Sequence, residues 1–311
     1  MDKTKVIITG VSGFVGKNLM QFIDKNLYEI TAITRNRSKL ESILDNSIRI
    51  VEADLLDTDS LIKAFENQEI LVNLAAEVRN QDLLAKTNIQ GTQNLIEAIK
   101  TTEIKKVIHL SSVGVVGKPY SAKTIKIYED CDPTPQNEYE RTKLISEQLF
   151  VSAADSKLFE LIVLRPTNVF GENHPFNALL NLMQTIEKQK SLAFSKGSKV
   201  NYVYVTDVSF AILSTIEGKI KTGIYNLGYS MELKEFYSVI MNAMKSKTRV
   251  IKVPSFLIKF ASLLGVNKLQ SISNRSEYSD DSIRKSFTYP IGIEKGVQNT
   301  VDYYKQEGLL K

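Results

Sequence analysis

Short β-rich runs alternate with longer amphipathic stretches through the first half of the chain. The runs are Val6 to Thr9, Glu29 to Ile33, Ile48 to Val51, Ile70 to Leu74, Lys106 to Leu110 and Glu160 to Leu164. Most of the segments between them carry the helical period: Val15, Leu19 and Phe22 are four and three apart, and Ile89, Thr92, Leu95 and Ile99 follow suit. Apolar strands with amphipathic crossovers predict an α/β fold, a doubly wound parallel sheet covered on both faces. After Pro166 the alternation decays. Tyr202 to Val205 and Gly223 to Leu227 read as strands that can still feed the sheet, whereas Ala178 to Lys188, Leu233 to Met244, Phe256 to Leu264 and Ile293 to Tyr304 read as helices. The expected division is a nucleotide-binding domain over residues 1–165 with parts of 200–230, a smaller, partly discontinuous α/β lobe over 166–199 and 228–290, and a terminal helix over 291–311. No Pro/Gly-rich linker separates the lobes, so ligands are expected in the crevice between them.

Composition narrows the function. The 311 residues are 43% hydrophobic and 24% charged, an ordinary globular balance. One cysteine, Cys131, cannot form an internal disulfide, and with only His109 and His174 beside it no metal site is expected. A reducing cytoplasm is the expected location, and Met1 to Lys5 run into the first strand without a signal-like apolar stretch. The longest apolar stretch, Val253 to Val266, is broken by Lys259 and is too short to span a bilayer, so packing in a small helical lobe is expected there. The net charge of +5 comes from scattered residues, which predicts no nucleic-acid partner and suits small anionic ligands.

The segment Thr9-Gly10-Val11-Ser12-Gly13-Phe14-Val15-Gly16 follows the first strand and opens the first helix. Glycines at intervals of three allow a tight turn, close approach of a pyrophosphate, and contact between helix and strand, with the positive helix end toward the phosphates. The second strand ends Ala32-Ile33-Thr34-Arg35-Asn36-Arg37, with no acid for ribose hydroxyls. A guanidinium there can pair with a 2′-phosphate, so Arg35, with Arg37 behind it, favours NADP(H) over NAD(H); the alternative is a solvated basic turn. Asp54 can accept from an adenine amine, or cap a helix that Asp57 or Thr58 can cap equally well.

Tyr139 and Lys143 stand four apart on one helix face, and Ser112 ends the fifth strand on the rim where such sheets bind ligands. An ammonium and an oxidised nicotinamide beside the phenol would favour the phenolate and bring an acid/base toward neutral pH.

These residues resemble the extended short-chain dehydrogenase/reductases, the nucleotide-sugar epimerase/dehydratase/reductase family. The similarity covers nearly the whole chain: the glycine loop, Asp54-Leu55, Leu74-Ala75-Ala76, Asn88 with Gly91 to Leu95, Ser111-Ser112, Tyr139 and Lys143, Leu164 to Gly171, Tyr202 to Val208, and the terminal helix. The resemblance implies a Rossmann-type fold in which Tyr139 moves the proton, Lys143 holds the nicotinamide ribose and lowers the phenol's pKa, and Ser112 binds the reacting oxygen. Gly10, Gly13, Phe14, Val15 and Gly16 would surround the pyrophosphate, Asp54 and Leu55 the adenine, Ala75 and Ala76 the ribose, and Pro166 the nicotinamide side. Asn88 counts with these cofactor residues, and Asn168 would meet a substrate diphosphate or close a turn. Family dehydratases carry an acidic pair where this chain has Val113 and Gly114, which disfavours dehydration.

A reductase or an epimerase is left. Arg35 tips the expectation toward an NADPH-dependent reductase of a nucleotide 4-keto-6-deoxy sugar in polysaccharide synthesis, with an NAD-dependent 4-epimerase as the alternative. An Arg common before the Tyr202 strand is absent, with Lys199 and Val200 nearby; Arg275 can supply a diphosphate contact or sit in an exposed loop. Should neither serve, a non-nucleotide ketone is the expected substrate class. A non-catalytic NADP-binding sensor is a further reading, opposed by the intact Ser112, Tyr139 and Lys143. Family members often pair through helices that here span about residues 81–100 and 137–154, so a homodimer is expected.

Overall fold

A computed structural model describes residues 3–41, 45–119, 123–176, 178–188, 191–254, 257 and 272–311. The chain order of strands is β1 (Thr4–Thr9), β2 (Tyr28–Thr34), β3 (Arg49–Glu52), β4 (Ile70–Asn73), β5 (Lys106–Leu110), β6 (Ile125–Ile127) and β7 (Glu160–Pro166), then β8 (Asn168–Phe170), β9 (Leu192–Phe194), β10 (Lys199–Tyr204), β11 (Gly223–Leu227), β12 (Tyr229–Glu232), β13 (Val250–Lys252) and β14 (Ser276–Tyr278). Seven of them make one sheet in the order β11-β7-β5-β4-β1-β2-β3, every pair parallel.

Alternate side chains enter opposite cores, as the two-residue period requires. Val6, Ile8, Val72, Ile108, Ile162 and Leu164 face a cluster with Leu19, Val208 and Ile212 from the Phe14–Phe22 and Val205–Ile216 helices. Ile7, Leu71, Val107, Leu161 and Val163 face Leu61, Phe65, Leu95, Ile99 and Phe150 on the other side. Both faces are therefore dry, and the architecture is a Rossmann-type doubly wound α/β fold. The order reverses between β1 and β4, and the crevice opens at their carboxyl ends.

Three expectations change. The run at Tyr202 does not feed the main sheet: β10 pairs with β8 and β12 in a separate three-stranded sheet, and the chain turns helical at Val205. In the first helix Gly16, Leu19 and Met20 are buried while Phe22 is largely exposed against Phe210, because the face is set by the sheet and the Val205–Ile216 helix. The long 81–100 helix contains a π-turn over Lys86–Gln90, whose wider turn sends Asn88 inward. Apart from Leu257, the expected helix Phe256 to Leu264 lies outside the described residues, as does most of the apolar stretch Val253 to Val266. No helix among the described residues is long and apolar enough to cross a membrane.

A second core joins β8 and β10 to the Ala178–Glu187, Leu233–Ala243 and Gly292–Gln306 helices through Phe170, Met183, Tyr204, Phe236, Ile240, Val297 and Val301. Asp207 ties this lobe to the first. Its carboxylate accepts from the Ile291 and Gly292 N–H groups, both at 2.9 Å, and so satisfies the start of the terminal helix. Burial raises its pKa, and those two N–H groups oppose the rise. Asp207→Ala is expected to cost about 1–2 kcal/mol, the usual loss of a helix cap. Urea unfolding measures it; a loss under about 0.3 kcal/mol would show the two N–H groups finding other partners.

Candidate active site

Gly10 takes φ +72°, and a Cβ on it would lie 2.6 Å from Ala75 N, so only glycine lets the loop press on the chain leaving β4. A Cβ at Gly16 would fall 2.3 Å from Gly10 O, so the third glycine closes helix onto strand. Gly13 is the N-cap of the first helix and offers no side chain to its N–H groups, and no acid occupies that first turn. This uncapped positive end beside a glycine cradle fits a pyrophosphate.

The loop opens onto a cleft of about 1640 Å³ between the lobes. Gly10, Gly13, Phe14, Val15, Gly16, Ala76, Ser112, Tyr139, Lys143, Pro166 and Asn168 all line it. Ser112 Oγ accepts from Gly114 N at 3.0 Å and caps the short turn Val113–Val116, leaving its proton for another acceptor. Asn137 caps the Glu138–Asp155 helix through Glu140 N, which brings Tyr139 into its first turn and Lys143 one turn deeper. Asn168 donates to Asn201 O at 2.8 Å while remaining exposed to the cleft.

Burial pushes the Tyr139 phenol up to about 12, with the Glu140 charge adding to the rise, and pulls the Lys143 amine down to about 8 against the opposing charge of Glu147. The Lys143 amine donates to Leu110 O at 2.8 Å.

Other residues stand apart from the cleft wall. Asp54 accepts from Leu56 N at 3.0 Å, and Asp57 caps the Thr58–Phe65 helix in its stead. Leu55 packs on Gly91, and its carbonyl accepts from Asn94. Ala75 N donates to Thr9 Oγ1 at 3.2 Å. Asn88 spends its amide on bracing, accepting from Glu77 N and donating to Glu77 O and Thr142 Oγ1. Arg35 is exposed at the end of β2, and its charge reaches Glu77. The Glu77 carboxyl is held below its usual range, first by the N–H groups of Arg79 and Asn80, and with a smaller share from Arg35. Lys199 pairs with Glu277 at 3.2 Å, Val200 packs into the second core, and Arg275 lies against Gly197 outside the cleft lining.

Motif reading misses several lining groups. Arg79 donates to Pro175 O at 2.7 Å with its guanidinium 4.4 Å from the centre of the Phe176 ring, and His174 meets Phe14 edge-on at 4.7 Å. Segment 171–176 thereby reaches over both the loop after β4 and the glycine loop. Tyr204 donates to Glu172 in the same wall. These residues sit in irregular segments without spacing, so only the aromatic and basic content of Gly171 to Phe176 and of Arg79 hints at them.

A family model described as the NAD dependent epimerase/dehydratase family matches residues 6–228. The chain belongs to that family. It is an enzyme of the extended short-chain dehydrogenase/reductase type. A low-salt glycan biosynthesis protein, Agl12, of Haloferax volcanii is 28% identical over 73% of this chain and 78% of its own. A putative UDP-glucose 4-epimerase of Methanocaldococcus jannaschii is 22% identical over 96% and 98%. Among solved structures, the UDP-glucuronic acid 4-epimerase of Bacillus cereus in complex with NAD superposes with TM-score 0.76 at 22% identity, covering 98% of this chain and 99% of that one.

Beneath the site Glu147 and Arg165 form a buried forked ion pair, and Ser111 Oγ also donates to Glu147 at 2.6 Å. The pair fastens the tyrosine helix to β7. Glu147→Ala leaves Arg165 charged and unpaired in the core, and is expected to cost about 3–5 kcal/mol in urea unfolding. A cost below about 1 kcal/mol would show that water reaches the guanidinium.

Proposed function

We propose that the enzyme is an NADP(H)-dependent reductase of a nucleotide-activated 4-keto-6-deoxy sugar. The observation that carries the proposal is one cleft whose lining brings Ser112, Tyr139 and Lys143 beside the glycine loop, a hydroxyl, a phenol and an amine suited to reduction of a carbonyl. A bound nicotinamide dinucleotide supplies the hydride. Tyr139 donates its proton to the carbonyl oxygen, and the Ser112 hydroxyl donates a hydrogen bond to that oxygen as charge develops on it. Lys143 orients the nicotinamide ribose and, as ammonium, stabilises the phenolate left behind. Arg35, in place of an acid at the end of β2, pairs with a 2′-phosphate. The glycan-synthesis role in the name of the Haloferax relative supports an activated-sugar substrate, with Asn168 toward its diphosphate.

A second reading is a 4-epimerase that retains NAD. The Methanocaldococcus relative and the NAD-bound Bacillus structure support it.

Mixing the protein with NADPH and a panel of nucleotide keto sugars, and following nicotinamide absorbance, separates these readings. Oxidation of NADPH is expected, slowed about 10²- to 10⁴-fold in Tyr139→Phe with cofactor affinity kept within a few-fold. Arg35→Asp is expected to weaken NADPH binding about ten-fold or more, the worth of a charged hydrogen bond. NAD that purifies with the protein, with interconversion of nucleotide sugars and no NADPH oxidation, overturns the reductase.

We also propose a homodimer through the 81–100 and 137–154 segments. Sedimentation at micromolar concentration is expected to give twice the chain mass; a single-chain mass refutes it.

A further inference from the structure

Three polar residues interrupt otherwise apolar strands at one register. Thr9 on β1 lies opposite Asn73 on β4, and Asn73 lies opposite His109 on β5. All three are at most 2% exposed. They form one chain of hydrogen bonds: Ala75 N–H to Thr9 Oγ1 at 3.2 Å, Thr9 O–H to Asn73 Oδ1 at 2.7 Å, and Asn73 Nδ2 to His109 Nδ1 at 3.2 Å. His109 Nε2 then faces Lys143 Nζ at 3.5 Å, and Nζ donates to Leu110 O.

The far end of the chain is fixed, because a peptide N–H can only donate. Thr9 therefore accepts from Ala75 and passes its own proton to Asn73 Oδ1, and the Asn73 amide donates to His109 Nδ1. The imidazole, neutral in this dry place, then carries its proton on Nε2, pointing at Lys143. An ammonium cannot accept that proton, whereas a neutral amine can. In this arrangement each link of the chain pairs a donor with an acceptor and Lys143 is uncharged. Turning the Asn73 amide over reverses the middle of the chain: His109 donates from Nδ1 to Asn73 Oδ1, and Nε2 accepts from the Lys143 ammonium. The reversal takes from the Thr9 hydroxyl proton the acceptor it had in the chain.

We propose that His109 is a positioning residue that matches its tautomer to the charge on Lys143, through the amide of Asn73, so that a fully buried lysine changes charge without a carboxylate moving to meet it. One proton is taken up in the change. Lys143 goes from amine to ammonium, while His109 stays neutral, its ring proton passing from Nε2 to Nδ1. The ionisable groups about Lys143 are His109 on β5, Tyr139 and Glu147 on its own helix, and Arg165 on β7, which is paired with Glu147. The His109 ring packs at a tilt against Phe150, and Lys143 is the charge that acts on it.

What this does for catalysis rests on the roles assigned above to Tyr139 and Lys143, but the tautomer itself does not. With histidine nitrogens isotope-labelled, NMR of the ligand-free protein between about pH 6 and about pH 10 reads both rings, and His109→Gln assigns them. The expected result is a neutral ring that changes from the Nε2–H to the Nδ1–H form as pH falls through the titration of Lys143, about 8, and stops doing so in Lys143→Met. A ring fixed in one tautomer, a ring that takes a second proton, or a change that survives in Lys143→Met overturns the inference. Turnover enters none of these measurements, so absence of NADPH oxidation refutes the proposed function alone. In the active enzyme His109→Leu removes the acceptor of the ammonium, lowering the lysine pKa. The alkaline loss of reduction should then begin about one pH unit lower, while His109→Gln stays near wild type. Equal limbs in all three proteins overturn the link to catalysis.

Discussion

A lysine amine held out of water is the constraint around which the active site is arranged. Lys143 is 2% exposed and has three hydrogens to place as an ammonium, yet the nearest carboxylate, Glu147, already serves Arg165 and Ser111. What meets the amine is Leu110 O and an imidazole, both from β5. Such partners satisfy geometry without pinning a charge, and burial then draws the amine toward neutral pH. A carboxylate in their place would hold the lysine permanently as a cation.

This arrangement depends on the register of three strands. Thr9, Asn73 and His109 sit in line because β1 pairs with β4 and β4 with β5 without offset between those residues. A slip of one residue would turn each polar side chain to the opposite face and put Ile8, Val72 or Ile108 in its place. The same row ends β1 and β4 and lies one residue before the end of β5 at the crevice, so the glycine turn after Thr9, the Ala75–Ala76 step after β4 and Ser112 after β5 are positioned by one set of backbone pairings. The glycine turn, the Ala75–Ala76 step and Ser112 are thus parts of a single sheet edge.

The strands of that sheet are legible in the sequence because each is a short apolar run between polar crossovers, and the glycine loop, Ser112, Tyr139 and Lys143 are legible because their spacing has a mechanical reason. Register is another matter: nothing in the runs at Ile70 and Lys106 says that Asn73 and His109 will be neighbours. The π-turn at Lys86–Gln90 is equally hidden, since it changes which face Asn88 occupies without changing composition. Tyr202 misleads for a different reason. Its strand has the apolar content of a core strand, but it is covered by Phe170 and Phe236 of the second lobe rather than by the main sheet. Arg79, His174 and Phe176 lie beyond spacing rules because long-range packing alone brings their loops together.

Packing around Ser112 also bears on the chemistry. The resemblance to the family implies that its dehydratases carry an acidic pair just after this serine. Val113 is buried in an apolar cluster with Val115, Val116, Ile127 and Tyr278, where a carboxylate would lose its hydration for no compensating partner. Gly114 is closed for another reason: a Cβ there would come within 2.7 Å of Glu140 Cγ. Making room means swinging Glu140 away and giving up its 2.7 Å bond from Gln136 N, next to the turn that starts the tyrosine helix. An acid at position 114 therefore disturbs the support of Tyr139 itself. The same side chain that keeps position 114 a glycine also raises the Tyr139 phenol through its charge, so the feature that excludes a second acid also keeps the proton on the one that is present.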